Sequence, residues 1–145
     1  MSMLPKVEIF AGLSEEEQAA LENSCVTRNY PRNTVVINEN DFADSLYVIE
    51  SGRVKVYCSD KNGKEYIMNT LGPGDYFGEL ALLDDDRRSA SVRTLEKSTF
   101  TIMFKDEFHA IMERHPKIAQ TLIRNLTRRV RKLTENVKSL ALQDV

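Results

Sequence analysis

Cysteine and histidine are scarce in this chain, with two of each among 145 residues. Cys25 and Cys58 lie far apart and show no metal-ligand spacing. They read as free thiols of a reducing cytoplasm, not as a disulfide framework. Two thiols cannot supply the four thiolates of an iron–sulfur cluster. His109 and His115 both fall in the C-terminal helical region, so the β region offers no haem ligand. It also lacks the clustered histidines of a metal-dependent β-barrel enzyme. The expectation is no enzyme and no metal. Long apolar runs are missing as well: nothing approaches the ~18 residues of a membrane span. The opening Met-Ser-Met-Leu-Pro-Lys has no apolar signal core. Net charge is only −2, which excludes a chain that binds nucleic acid by its overall field. With 41% hydrophobic and 29% charged residues the chain is too apolar for disorder. A soluble, cytoplasmic protein of one domain plus an appendage is expected.

The most informative segment is residues 77–94. Phe77, Gly78, Glu79, Leu80 and Ala81 form a turn with one carboxylate. The acidic loop Asp84, Asp85, Asp86 follows, then Arg88, Ser89 and Ala90 run into a strand of period two. A short helical turn after Gly78 offers free backbone N–H groups to a phosphate. Arg88 adds a planar, permanently charged fork for the same oxygens. An ionised Glu79 can only accept hydrogen bonds, so it suits a sugar hydroxyl and repels phosphate. A nucleoside phosphate whose phosphate is held close to its ribose satisfies all three. Any one of these residues alone is ordinary turn or surface chemistry; the ordered combination carries the signal. Arg87 and Arg93 are expected to face outward. The three aspartates read as a solvated loop, since consecutive carboxylates do not make a metal cage by themselves.

Residues 5–27 hold a short helix, with Ser14 and Glu17 as a capping box and Leu13, Ala20 and Leu21 as its apolar face. Residues 28–104 read as β. Short runs at 35–37, 46–49, 54–57, 66–68, 90–92 and 100–103 are separated by turns at 50–53, 61–64 and 71–75. That spacing argues for a sandwich or barrel. Residues 105–115 form a helix stopped by Pro116. From 117 to 142 runs a long helical pattern, about 39 Å if continuous. Ala119, Leu122, Leu126, Val130, Leu133, Val137 and Leu140 are spaced 3, 4, 4, 3, 4 and 3, a heptad seam with one irregular step. A homodimer through the helix 117–142 explains this stripe. Its cations Arg124, Arg128, Arg129, Arg131, Lys132 and Lys138 read as solvated flanks of the seam that also help hold the anion.

The segment 77–94 resembles the phosphate-binding cassette of cyclic-nucleotide-binding domains. The resemblance implies that Glu79 holds the ribose 2′-hydroxyl and Arg88 the cyclic phosphate, with Phe77, Gly78, Leu80, Ala81, Ser89 and Ala90 completing the site. It also implies a mainly β fold with flanking helices, a double-stranded β-helix (jelly roll) over residues 5–116, followed by a dimerisation helix over 117–145. The C-terminal third resembles bacterial regulators of the catabolite activator family. There a helix-turn-helix domain follows such a helix, whereas this chain stops at Val145. The expectation is the sensor and dimerisation part, with DNA contacted only through a domain absent from the chain. Where the family pattern has Thr-Ser against the base, the matching positions are Leu133 and Thr134. Thr134 keeps a hydroxyl for the adenine amino group, offered from the partner subunit; Leu133 departs from the pattern and leaves cyclic AMP against cyclic GMP open. Cyclic AMP is the favoured ligand. The alternatives are a sensor of another small anion and a stand-alone cyclic-nucleotide module not linked to DNA binding.

Overall fold

The computed structural model describes residues 2–143. Two 3₁₀ turns, Leu4–Lys6 and Glu8–Phe10, lead into α1 (Glu15–Asn23). The capping box is formed: the Ser14 hydroxyl accepts from the Glu17 N–H at 3.2 Å, and Glu17 Oε1 accepts from the Ser14 N–H at 2.9 Å. The expected apolar face is only half right. Leu21 is buried, but Ala20 is exposed and Gln18 turns inward, where its amide donates to the Phe10 carbonyl. The preceding 3₁₀ turn thus sets the helix phase.

Eight strands follow: β1 (Val26–Tyr30), β2 (Val35–Ile37), β3 (Ser45–Ser51), β4 (Val54–Ser59), β5 (Glu65–Leu71), β6 (Tyr76–Phe77), β7 (Ser91–Thr94) and β8 (Ser98–Phe104). They make two four-stranded antiparallel sheets, ordered β1-β8-β3-β6 and β2-β7-β4-β5, the expected jelly roll. Two strands were not anticipated. β1 is an edge strand with four exposed residues, and β6 is only two residues long. Neither offers an apolar alternation to read.

The central strands of the first sheet, β3 and β8, are buried on both faces. Inside the roll, Ile49, Phe77, Phe100 and Ile102 pack with Ile37, Val54 and Val92 of the second sheet. On its other face Leu46, Val48 and Met103 meet Leu4, Phe10 and the C-terminal helices. The second sheet is covered on its inner face alone, and its edge strand β5 leaves Tyr66, Ile67 and Met68 more than half exposed. Between β4 and β5, Asp60 Oδ1 accepts from the N–H groups of Asn62 and Lys64, and Gly63 supplies the positive φ of 81°.

Helix α2 (Glu79–Leu83) lies inside the cassette; α3 (Lys105–Arg114) and α4 (Pro116–Gln143) close the chain. Pro116 ends α3 as expected and also opens α4, where its missing N–H costs nothing. The irregular step of the heptad stripe has a structural cause. Ile118 and Leu122 are 2% exposed and belong to the core, so Leu122 is not a seam residue. From Ile123 the stripe turns outward: Ile123, Val130, Leu133, Val137 and Leu140 are 60–64% exposed. With Leu126 between them, positions 123, 126, 130, 133, 137 and 140 follow a strict 3-4-3-4-3 spacing. Residues 144–145 of the expected dimerisation segment lie outside the described residues. Among the described residues no helix is long and apolar enough to cross a membrane.

The link between the sheets passes through Gly52, at φ +96°. A Cβ there would lie 2.1 Å from Ser98 Oγ and 2.6 Å from its Cα. Gly52→Ala is expected to destabilise the fold by about 2–4 kcal/mol, from the left-handed backbone and the overpacking together. Urea unfolding checks this as a lower midpoint at unchanged slope.

Candidate functional site

The sequence 77–90 folds into a compact unit. β6 ends at Phe77, whose ring stacks on Tyr47 at 5.0 Å and meets Phe100 edge-on. Phe77 therefore anchors the unit from inside the core. Gly78 takes a left-handed φ of 90° and caps α2. A side chain there would sit 2.6 Å from Arg88 Nη1, so the glycine makes room for the guanidinium. Ala81 and Leu82 of α2 are buried, while Leu80 is 38% exposed. The first turn of α2 leaves backbone N–H groups without intrahelical acceptors.

Arg88 and Glu79 are 5% and 4% exposed. They do not pair with each other. Arg88 Nη1 donates to the Gly78 carbonyl at 2.9 Å and Nη2 to the Ser45 carbonyl at 2.8 Å. Its nearest carboxylate is Asp44, 3.9 Å away and itself exposed. The guanidinium faces the Tyr47 ring at 5.9 Å. Burial pulls its pKa below the ordinary guanidinium value, opposed by Tyr47, Asp44 and Glu79. This is the direction expected of a desolvated cation that lacks a close counter-ion, and a bound anion would reverse it.

Glu79 pairs instead with Arg129 of α4, Oε1 to Nη1 at 2.6 Å. One turn earlier on α4, Asn125 donates to the Tyr76 hydroxyl at 3.2 Å. Positions 125 and 129 share a helix face. Together they fasten the long helix to both sides of Gly78. Arg129, expected among solvated flanks of the seam that also help hold the anion, lies instead on the cassette carboxylate. Its only signal was membership of a basic run, 50 residues from Glu79.

The loop between α2 and β7 is solvated, as expected: Asp84, Asp85 and Asp86 are all exposed. Asp85 adopts φ 55° and pairs with Lys105 at 2.5 Å. The Lys105 hydrogen bond and charge hold its carboxyl below the ordinary range. The Asp84 and Asp86 carboxylates accept loop N–H groups. Among the described residues no metal-binding group forms. Arg87 is exposed, as expected, over the Phe42 ring at 4.2 Å. Arg93 lies on the outer sheet face, paired with Glu65 at 2.7 Å. Ser89 is exposed and Ala90 half-buried. A neighbour missed from sequence is Cys58, whose thiol lies 3.8 Å from the Ser89 carbonyl and 3.4 Å from Met68 Sδ. Leu133 and Thr134 are exposed on α4, and the Thr134 hydroxyl donates to the Val130 carbonyl at 2.9 Å. Within one chain they do not meet the cassette.

The family described as "Cyclic nucleotide-binding domain" matches residues 27–115. A CRP-like cAMP-activated global transcriptional regulator of Mycobacterium tuberculosis is 32% identical over 143 residues, covering 99% of this chain and 64% of the relative. The solved catabolite activator protein of Thermus thermophilus superposes with a TM-score of 0.82 at 32% identity, over 92% of this chain and 62% of that one. The N-terminal domain of a transcriptional regulator from Streptomyces coelicolor gives 0.72 at 28% identity, over 94% and 95%. The chain thus spans less than two thirds of the length of the Mycobacterium and Thermus regulators.

Burial raises the Cys25 thiol to about 11 and also raises Cys58, which Glu39 pushes further. Both thiols are therefore protonated at neutral pH, and alkylation should be slow there and accelerate as pH rises. Cys58, the less buried of the two, should react first; mass spectrometry of iodoacetamide-treated protein at pH 7 and pH 9 reads both rates.

Proposed function

The chain belongs to the cyclic nucleotide-binding domain family, and on that premise we propose that it binds a cyclic nucleotide, with cyclic AMP favoured over cyclic GMP, as the ligand-sensing and dimerising part of a transcriptional regulator. The observation that carries the proposal is the pair of buried, opposite and mutually unpaired charges, Glu79 and Arg88, on either side of a helical turn. A buried cation held mainly by carbonyl dipoles has capacity left for an anion. A buried carboxylate beside it rejects the phosphate and accepts a hydroxyl. A cyclic nucleotide presents both groups within one rigid ring system. Under this reading Arg88, Ser89, Ala90 and the backbone of Gly78, Leu80 and Ala81 hold the phosphate. Glu79 takes the ribose hydroxyl, and Phe77 supports the site from the core. Thr134 and Leu133 reach the base from the long helix of a partner subunit. The name of the Mycobacterium relative, a cAMP-activated regulator, supports cyclic AMP.

The roll over 5–116 then acts as sensor and the segment 117–145 as dimerisation helix. A ligand on Glu79 necessarily meets Arg129, so occupancy biases where α4 lies relative to the roll. DNA is reached only through a further domain of the regulator.

Two outcomes test this. Calorimetric titration with cyclic AMP and cyclic GMP, on protein freed of carried-over nucleotide, should show one site per chain. Arg88→Ala should weaken binding about 10- to 100-fold, the loss of a charge-assisted contact of roughly 1.5–3 kcal/mol. Unchanged affinity in the folded variant would remove Arg88 from the site, and no binding of either nucleotide would leave the cassette serving another anion. For the dimer, sedimentation should report two chains for the wild type and one for Val137→Lys, which puts a charge into the centre of the exposed stripe. A monomeric wild type would remove the dimer.

A further inference from the structure

The outer face of the second sheet carries a second concentration of positive charge, separate from the cassette. A cavity of about 320 Å³ is lined by Arg32, Asn33, Lys55, Arg93, Thr94 and Leu95. Three cations line it, and two of them, Lys55 and Arg93, share a single carboxylate, Glu65, which lies outside the cavity lining. Glu65 accepts from Lys55 at 3.3 Å and from Arg93 at 2.7 Å, and both of its contacts with Arg93 use the same Nη1. Nε and Nη2 of that fork, and the further protons of Lys55, remain for another acceptor. Among the described residues Arg32 has no carboxylate within ion-pair distance.

The cavity is built from fixed parts. Lys55 and Arg93 are partly buried and lie 5.2 and 4.9 Å from the centre of the Tyr57 ring, which restrains both cations. The turn bearing Arg32 and Asn33 is pinned to the end of β7. The buried Thr94 hydroxyl donates to the Pro31 carbonyl at 2.7 Å and accepts from the Thr34 N–H at 2.8 Å. The Asn33 N–H donates to the Thr94 carbonyl at 2.9 Å, and Asn33 holds a left-handed φ of 61°. Positive charges arranged on a rigid frame, with too few carboxylates to neutralise them, favour a multiply charged oxyanion over chloride or a neutral ligand.

We propose that this cavity is a second anion site, for a small polyanion of the phosphate class. It is independent of the cassette and of the cyclic-nucleotide reading. Glu65 acts there as a built-in competitor, which an incoming anion displaces from Lys55 and Arg93. That role gives the test its sign.

The experiment titrates inorganic pyrophosphate into the 145-residue chain at constant ionic strength, read by amide shifts in two-dimensional NMR. Saturable shifts at Asn33 and Leu95 are expected. In Lys55→Met the affinity read at those amides should fall about tenfold, and in Glu65→Gln it should rise by a similar factor. A gain cannot come from damaged folding. Shifts confined to residues 78–90, shifts reproduced by sodium chloride, or a Glu65→Gln affinity equal to wild type would each overturn the proposal.

Discussion

Burying two opposite charges next to each other without letting them neutralise one another is the constraint on which the rest of this structure depends. Left alone, Glu79 and Arg88 would attract each other, and a direct pair would neutralise the charge that each offers a ligand. The fold keeps them apart by giving each another partner. Carbonyls at Gly78 and Ser45 take the guanidinium, and Arg129 takes the carboxylate. The left-handed Gly78 matters because only a residue without a side chain leaves space for Arg88 beneath the turn. The doubly buried strand β3 matters because its Tyr47, stacked on Phe77, supplies the wall that Arg88 faces.

The same constraint ties the site to the long helix. Arg129 reaches Glu79 only because α4 is seated by Ile118 and Leu122 at its start and by Asn125 on Tyr76 one turn before it. Alongside these contacts, from Ile123 onward, the apolar stripe of α4 faces outward. One helix therefore combines core packing, cassette contact and exposed seam. Any change of the charge balance at Glu79 acts at the junction between the first and the last of these, a geometry suited to passing a binding event along the helix.

What could be read in the sequence follows from how locally each feature is encoded. The cassette lies within fourteen consecutive residues, and its order survives as a pattern, so Glu79 and Arg88 could be named before their geometry was known. The capping box at Ser14 and the turns at Gly52 and Gly63 were legible for the same reason. β1 was not, because Val26–Tyr30 is an edge strand with polar side chains and carries no alternation. Gln18 displaced Ala20 from the inner face through one hydrogen bond to a neighbouring turn. Arg129 looked like any other cation of a basic run, and nothing local distinguishes the one that meets a carboxylate fifty residues away. The heptad stripe was recognised, but its irregular step marked the boundary between core and seam and not a flaw in the repeat. Leu122 belongs to one, Ile123 to the other.

The most direct test of the account concerns the hydroxyl that Glu79 is proposed to hold. Calorimetric titration of the wild type and of Glu79→Ala with cyclic AMP and with its 2′-deoxy analogue isolates that one contact. The wild type should bind the deoxy analogue at least about tenfold more weakly, as expected for losing a hydrogen bond to a charged acceptor. In Glu79→Ala the two nucleotides should bind alike. Equal affinities for both nucleotides in the wild type would contradict the assignment of Glu79 as the ribose acceptor.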